Sequence, residues 1–537
     1  MVNKHENVEQ PQIKKQLEIK EQPEIKQQEI QHVWHNQAEL EATQESENMK
    51  LMRKKFPYYG TLALCFGLLF NFCFYDFYDN FSGIVYPLFV IGLFAFAAFS
   101  LRGLNKTISR NSYFCMITAL LLGFSTWITA NLFVQFFNTL GIAILFTIFI
   151  MKQFYKDQSW GFKKYLLNLL LVWIGVLFSV KYPFLHGTSY FRNRNKKSAK
   201  WKPILTGILF ALLFLFFIIP MLGRADMVFG NLLSGLYSYF ILPSAWIEYL
   251  VLTVLGALGF YGIVFTLSRG NLDTAEKISI KWESTSAMVM TGIVSCFYLL
   301  FCSIQVFYLF GGGLFKLPGG ITYAEYARQG FFQLLFVIII NAALVLICLE
   351  LFQPRQGLKR ILTVISACTF IMIASAIYRM LLYVNVYHLS FLRVLVLWFL
   401  AVLTVLMGGV TYYIFHQKFP VSRFTFFTAL FFYLIFSFMR PDYMVAKYNV
   451  AHMGTISRQD ALYLTNLSSD TAQALVEITD KQLEVVINRS DSNYLPTARE
   501  QINAYFNEIS NDYNDNYRYF NIGEYISYQT ALKKIGK

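Results

Sequence analysis

From Tyr58 to Met439 the chain is a succession of long apolar runs, most of them close to the ~20 residues that an α-helix needs to cross a bilayer. Inside lipid an unpaired backbone N–H or C=O has no water to bond to, so such runs must close their own hydrogen bonds as helices. Spans are expected at roughly 57–75, 82–100, 113–130, 133–152, 203–222, 246–267, 287–310, 331–352, 361–384, 393–415 and 424–439. A further run, Tyr165 to Val180, is apolar but short and has Lys163, Lys164 and Lys181 at its ends; it either spans or lies in the interface. The expected fold is therefore all-α: a polytopic transmembrane bundle of about eleven or twelve spans, followed by a small helical soluble domain.

Composition agrees, with 56% hydrophobic and 15% charged residues, outside ordinary soluble usage. The net charge of +14 does not call for nucleic acid, because Lys and Arg sit mainly in short loops between apolar runs, where they orient helices. If Tyr165–Val180 does not span, the loops holding Arg102, Lys106 and Arg110, then Arg192 to Lys202, Arg269 to Lys281, Arg355 to Arg360, and Lys418 with Arg423 all fall on the cytoplasmic side. If it spans, the later basic loops face outward, against that bias. Eleven spans, a cytoplasmic N-terminus and an extracytoplasmic C-terminus are expected, in a cell membrane.

Residues 1–56 form a Gln-, Glu- and Lys-rich tract that cannot bury a core, a disordered cytoplasmic tail; 57–439 is the membrane domain. Residues 440–537 turn polar. Ser457 with Asp460 and Thr497 with Glu500 have capping-box spacing, and Ser468-Ser469-Asp470 offers another cap, so four or five short helices are expected, with Leu475, Ile478 and Leu483 facing inward.

Chemistry is harder to find. No HExxH pair and no phosphate-loop lysine occurs, and the seven cysteines lie in or beside apolar runs as packing residues, so no cofactor or metal is implied. Candidate ligand- or partner-binding residues fall in three places. Tyr323, Glu325 and Arg328 belong to the loop before the span at 331, where Thr322 and Glu325 also read as a capping box. Arg224 and Asp226 end the 203–222 span, where Asp226 reads equally as a helix cap. Asn341 and Arg379 lie within spans, where a polar group is expensive and is either functional, a hydrogen-bonding contact between helices or, for Arg379, snorkelled to the headgroups.

The strings Arg224-Ala225-Asp226-Met227-Val228-Phe229, Gly320-Ile321-Thr322-Tyr323-Ala324-Glu325-Tyr326-Ala327-Arg328-Gln329-Gly330-Phe331-Phe332, and Pro441-Asp442 with Ala446-Lys447-Tyr448-Asn449 resemble a bacterial multi-pass membrane family, domain of unknown function 4173, related to the broader 4153 family. The resemblance covers roughly 200–525 and includes Asp460-Ala461-Leu462-Tyr463-Leu464. It implies a bacterial membrane protein and supplies no catalytic residues. Three functions compete: a non-enzymatic envelope sensing, assembly or accessory protein, whose 440–537 segment meets an envelope partner; a transporter or flippase for a lipid or small solute; and a membrane-embedded transferase. The scarcity of buried charge and the polar tail favour the first.

Overall fold

A computed structural model of the chain describes residues 46–75, 83–155, 160–194, 244–270, 281–309, 331–353, 355–483 and 496–536, with Leu272 and isolated positions between 207 and 229. Its helices are α1 (Glu47–Lys54), α2 (Phe56–Phe74), α3 (Val85–Gly103), α4 (Tyr113–Ile128, entered through a 3-10 turn at Arg110–Ser112), α5 (Leu132–Phe154), α6 (Phe162–Phe178), α7 (Tyr182–Arg194), α8 (Ser244–Arg269), α9 (Ser284–Leu309), α10 (Phe331–Leu351), α11 (Gln356–Tyr387), α12 (Phe391–Phe415) and α13 (Val421–Phe438). After them come α14 (Pro441–His452), α15 (Arg458–Thr465), α16 (Ala472–Leu475), α17 (Asp480–Leu483), α18 (Ala498–Asp512) and α19 (Ile522–Ile535). Among the described residues there is no strand beyond one isolated bridge, Trp282 to Phe352, so the fold is all-α.

Ten of these helices are long and apolar enough to cross a membrane. They expose large apolar side chains such as Phe297, Leu300 and Phe336, each more than 60% accessible, which water would penalise and lipid does not. The expected span at 203–222 lies almost wholly outside the described residues. The Tyr165–Val180 run continues beyond its predicted end: α6 and α7 form an apolar pair bent by 54°. Pro183 explains the break, because it has no N–H for the Ser179 carbonyl and its ring clashes there; the Tyr182 amide bonds to that carbonyl instead, at 3.0 Å.

The chain divides into two compact units. The first comprises Met1–Leu68, Ala98–Thr107 and Leu170–Asp273. In it Tyr58 and Tyr59 donate to the carbonyls of Phe99 and Ser100 at 2.7 and 3.0 Å, Phe66 stacks on Phe260, and the His186 ring meets the Tyr261 hydroxyl at 2.7 Å.

The second comprises Leu69–Ala97, Ile108–Leu169 and Thr274–Lys537. Here α4 and α13 run parallel, Phe114 meeting Phe427 near their starts and Ser125 meeting Ser437 near their ends. α5 returns beside α4 after a tight turn at 129–131, which ends when the Asn131 side chain caps α5 by accepting from the Val134 amide at 2.9 Å. α9 runs parallel to α11, with Met288 against Gly357 and Gln305 against Ser375. Short turns at 388–390 and 416–420 join α11, α12 and α13 head to tail. One end of this unit therefore gathers Arg110, Lys152, Arg355, Lys359, Arg360, Lys418 and Arg423. The opposite end carries the turns 129–131 and 388–390 and the exit of α13, and there the C-terminal helices sit.

Those helices have their own core of Val445, Ala446, Leu464, Leu475, Ile478, Ile502, Phe506 and Ala531, with Leu483 packed at its edge. Both predicted capping boxes are formed, Ser457 with Asp460 and Thr497 with Glu500. The Ser468-Ser469-Asp470 cluster does not act as a side-chain cap; Asp470 is turned elsewhere.

Candidate functional site

No apolar helix runs unbroken from the membrane into the C-terminal helices, because Pro441 disfavours right-handed backbone at the residue before it. Arg440 adopts a left-handed conformation (φ 51°), unusual for a residue with a side chain and costing roughly 1–2 kcal/mol. The reversal lays α14 across the end of the bundle. It also places the Arg440 guanidinium beside Asp470, at 2.8 Å from Oδ1, with the carboxylate fully buried.

The other oxygen of Asp470 reaches the α4–α5 turn: Oδ2 accepts from the Thr129 hydroxyl at 2.6 Å and the Ala130 amide at 3.2 Å. A second carboxylate lies alongside. Asp442, in the first turn of α14 and 2% exposed, accepts at Oδ2 from Asn131 Nδ2 at 2.6 Å and from the backbone amide and hydroxyl of Ser468 at 3.1 and 2.6 Å. Its Oδ1 meets no donor among the described residues. Both acids lie near the amino end of α5, where the partial positive charge of a helix favours carboxylates.

Asn521 closes the joint from the far end of the chain. Its side-chain oxygen accepts from the Glu524 amide, capping α19, and its Nδ2 donates to the carbonyls of Thr129 and Thr126, which end α4 and have no partner within the helix. Trp127 donates to the Phe520 carbonyl at 2.8 Å, which also accepts from the Ile84 amide. Gly523 is pressed so closely into this corner that a β-carbon there would lie 2.6 Å from Asp470 Oδ1. Burial, with Asp470 nearby, pushes the Glu524 carboxyl up to about 7, so this acid changes charge near neutrality.

Below the turn the polar contacts continue between the spans. The Asn138 amide donates to the Thr126 hydroxyl at 3.0 Å, and Asn138 Oδ1 accepts from Tyr433 and Ser437, both at 2.8 Å. Ser437 also contacts Ser125. Asn138 lies two turns along α5 from Asn131, about 10 Å deeper. The joint is thus continuous with a buried polar seam between α4, α5 and α13. Through these bonds each carboxylate ties the C-terminal helices to the α4–α5 turn. Among the described residues no group of His, Cys, Asp and Glu could hold a metal ion.

The residues singled out from sequence are distributed differently. Arg224, Tyr323, Glu325 and Arg328, with the Thr322–Glu325 box, lie outside the described residues. Asp226 is exposed and accepts from the Phe229 amide at 2.7 Å, a capping geometry. Asn341 is fully buried between helices: Tyr298 donates to its Oδ1 at 2.7 Å, and its Nδ2 donates to Thr369 at 3.0 Å. Arg379 is 6% exposed and donates at 2.9 Å to Gln305, whose Oε1 also accepts from Ser375. The structure thus brings Asn341 and Arg379 onto one side of α11 against α9, and not to the acidic joint. As sites Asp442 and Asp470 carry no sequence signal beyond a helix start; their partners on the α4–α5 turn lie more than 300 positions away.

The helical bundle defines a multi-pass integral membrane protein. Residues 116–478 match the family described as Domain of unknown function (DUF4153), and the chain belongs to that family. No curated protein and no solved structure shows a significant similarity to it.

Proposed function

We propose that the protein is a non-enzymatic envelope accessory or sensing protein of a bacterial cell membrane, in which the C-terminal helices form an extracytoplasmic cap coupled to the spans. The acidic joint carries this reading. A module tied to the α4–α5 turn by Asp470, Asp442 and Asn521, and continuous with a polar seam between spans, transmits what it binds to the bundle. Orientation follows from charge: the cap lies at the end opposite Arg110, Lys152, Arg355, Lys418 and Arg423, and cytoplasmic loops are the basic ones. Within the family, the strings at 224–229, 320–332 and 441–449 favour the narrower 4173-like branch.

The buried Arg379–Gln305–Ser375 and Asn341–Thr369 contacts favour transport as the second reading, since polar groups at membrane depth line many substrate paths. A deletion strain complemented with the full chain, with a chain ending at His452 and with Asp470→Asn separates the two. A coupled cap predicts that truncation abolishes function, and that Asp470→Asn reduces it while the protein still inserts. Full complementation by the truncated chain would overturn it.

A further inference from the structure

At the basic end of the second unit a cavity of about 690 Å3 opens between α4, α5, α13 and the start of α6. Its lining is divided by chemistry. Arg110, Lys152 and Arg423 contribute three cations, and no carboxylate lies among the described residues that line it. The entry turn of α4 and the first residues of α13 also line it, so the positive ends of two helices add to the side-chain charge. Ser109, Asn111 and Ser422 line the same end, and the rest of the wall is largely apolar and aromatic, with Phe114, Leu166, Phe427 and the buried Trp160. Lys152 sits at the boundary of the two, its Nζ 5.8 Å from the centre of the Phe114 ring.

A soluble anion accounts for the cations and leaves the aromatic wall without a role; a neutral hydrocarbon does the reverse. Both halves are satisfied by an amphiphile with an anionic head at the ends of the spans and a chain running down between them. Basic pockets between transmembrane helices on the cytoplasmic side are sites of this chemistry, and the volume lies in the ~300–1,000 Å3 range of small-molecule sites. We propose that this cavity binds an anionic glycerophospholipid, its phosphate between Arg110, Lys152 and Arg423 and an acyl chain against Phe114, Leu166 and Phe427. The assignment does not depend on the role given to the C-terminal helices.

The test uses the full chain in neutral detergent, titrated with phosphatidylglycerol or phosphatidylcholine carrying brominated acyl chains, which quench nearby tryptophan. Trp160→Phe isolates the contribution of Trp160. The expected result is saturable, Trp160-dependent quenching by phosphatidylglycerol, with phosphatidylcholine at least about tenfold weaker. Arg110→Gln with Arg423→Gln weakens the phosphatidylglycerol response about 30-fold; the paired lysine replacements, which keep both charges, retain the preference and guard against misfolding. Equal quenching by the two lipids would overturn the proposal, as would an unchanged response in a folded double-glutamine variant. Displacement of the lipid by inorganic phosphate would reassign the cavity to a soluble anion and overturn it too.

Discussion

The two ends of the second unit solve opposite electrostatic problems. At one, cations line an open cavity and no described lining residue is acidic. At the other, two carboxylates are buried, and Asp470 is bonded at both oxygens. An end built for exchange with its surroundings leaves its charges accessible. An end built to hold parts together buries them against matched partners, because an uncompensated charge there is expensive. The bundle is polarised accordingly, and each end fails in its own way.

Asp470→Ala breaks the contrast most severely. It removes the acceptor of the Thr129 hydroxyl and the ionic partner of Arg440, which keeps only Gln473 at 3.4 Å, so the C-terminal helices should lose about 3–5 kcal/mol of docking stability. Proteolysis under native conditions should then cleave within 441–535 first, while Trp160 quenching by lipid is unchanged. Coincident loss of both would mean that the ends are not independent.

Glu524 sharpens the comparison through pH. Its folded carboxyl is raised to about 7 from an ordinary 4.5, so between those values the folded chain keeps a proton that the unfolded chain releases. Its contribution is complete below the unfolded value and is lost as pH rises through the folded one, roughly 3 kcal/mol across that window. Glu524→Gln should flatten this dependence and be the more stable protein at pH 8, as measured by denaturant midpoints in detergent. Unchanged pH dependence in the variant would remove Glu524 as its source.

Smaller effects mark local contributions. Thr497→Ala, which opens the α18 capping box, should destabilise the C-terminal helices by about 1 kcal/mol. Asn341→Leu, in the middle of the bundle, should cost only about 0.6 kcal/mol, the average for a polar contact between spans. Arg423→Gln, at the accessible end, should leave stability within about 0.5 kcal/mol while weakening lipid binding. A larger loss of stability would show that Arg423 holds the fold rather than a ligand.

The same contrast decides what was legible in the sequence. Apolar runs reveal spans because the bilayer imposes one length and one polarity on each, and the two capping boxes were legible because their members stand three residues apart. The joint obeys no local rule. Asn131 and Asp442 are 311 residues apart, Thr129 and Asp470 341, and Thr129 and Asn521 392. In one dimension Asp470 is a Ser-Ser-Asp cap, and only the fold turns it toward Thr129. Loop cations likewise indicate orientation without showing that Arg110, Lys152 and Arg423 converge on one cavity. Pro183 was visible, yet the bend it produces depends on α6 and α7 both being helical.

The left-handed step at Arg440 leaves no slack between the last span and the helices that follow, and this shapes how the protein is made. Thr129 leaves the ribosome 341 residues before its partner Asp470, a delay of roughly 20–70 s at ordinary synthesis rates. Throughout that interval the α4–α5 turn waits with its donors open. Until Asp470 is made, the Thr129 hydroxyl and the Ala130 amide lack the carboxylate that accepts from both, so this joint closes late in synthesis although half of it is made early.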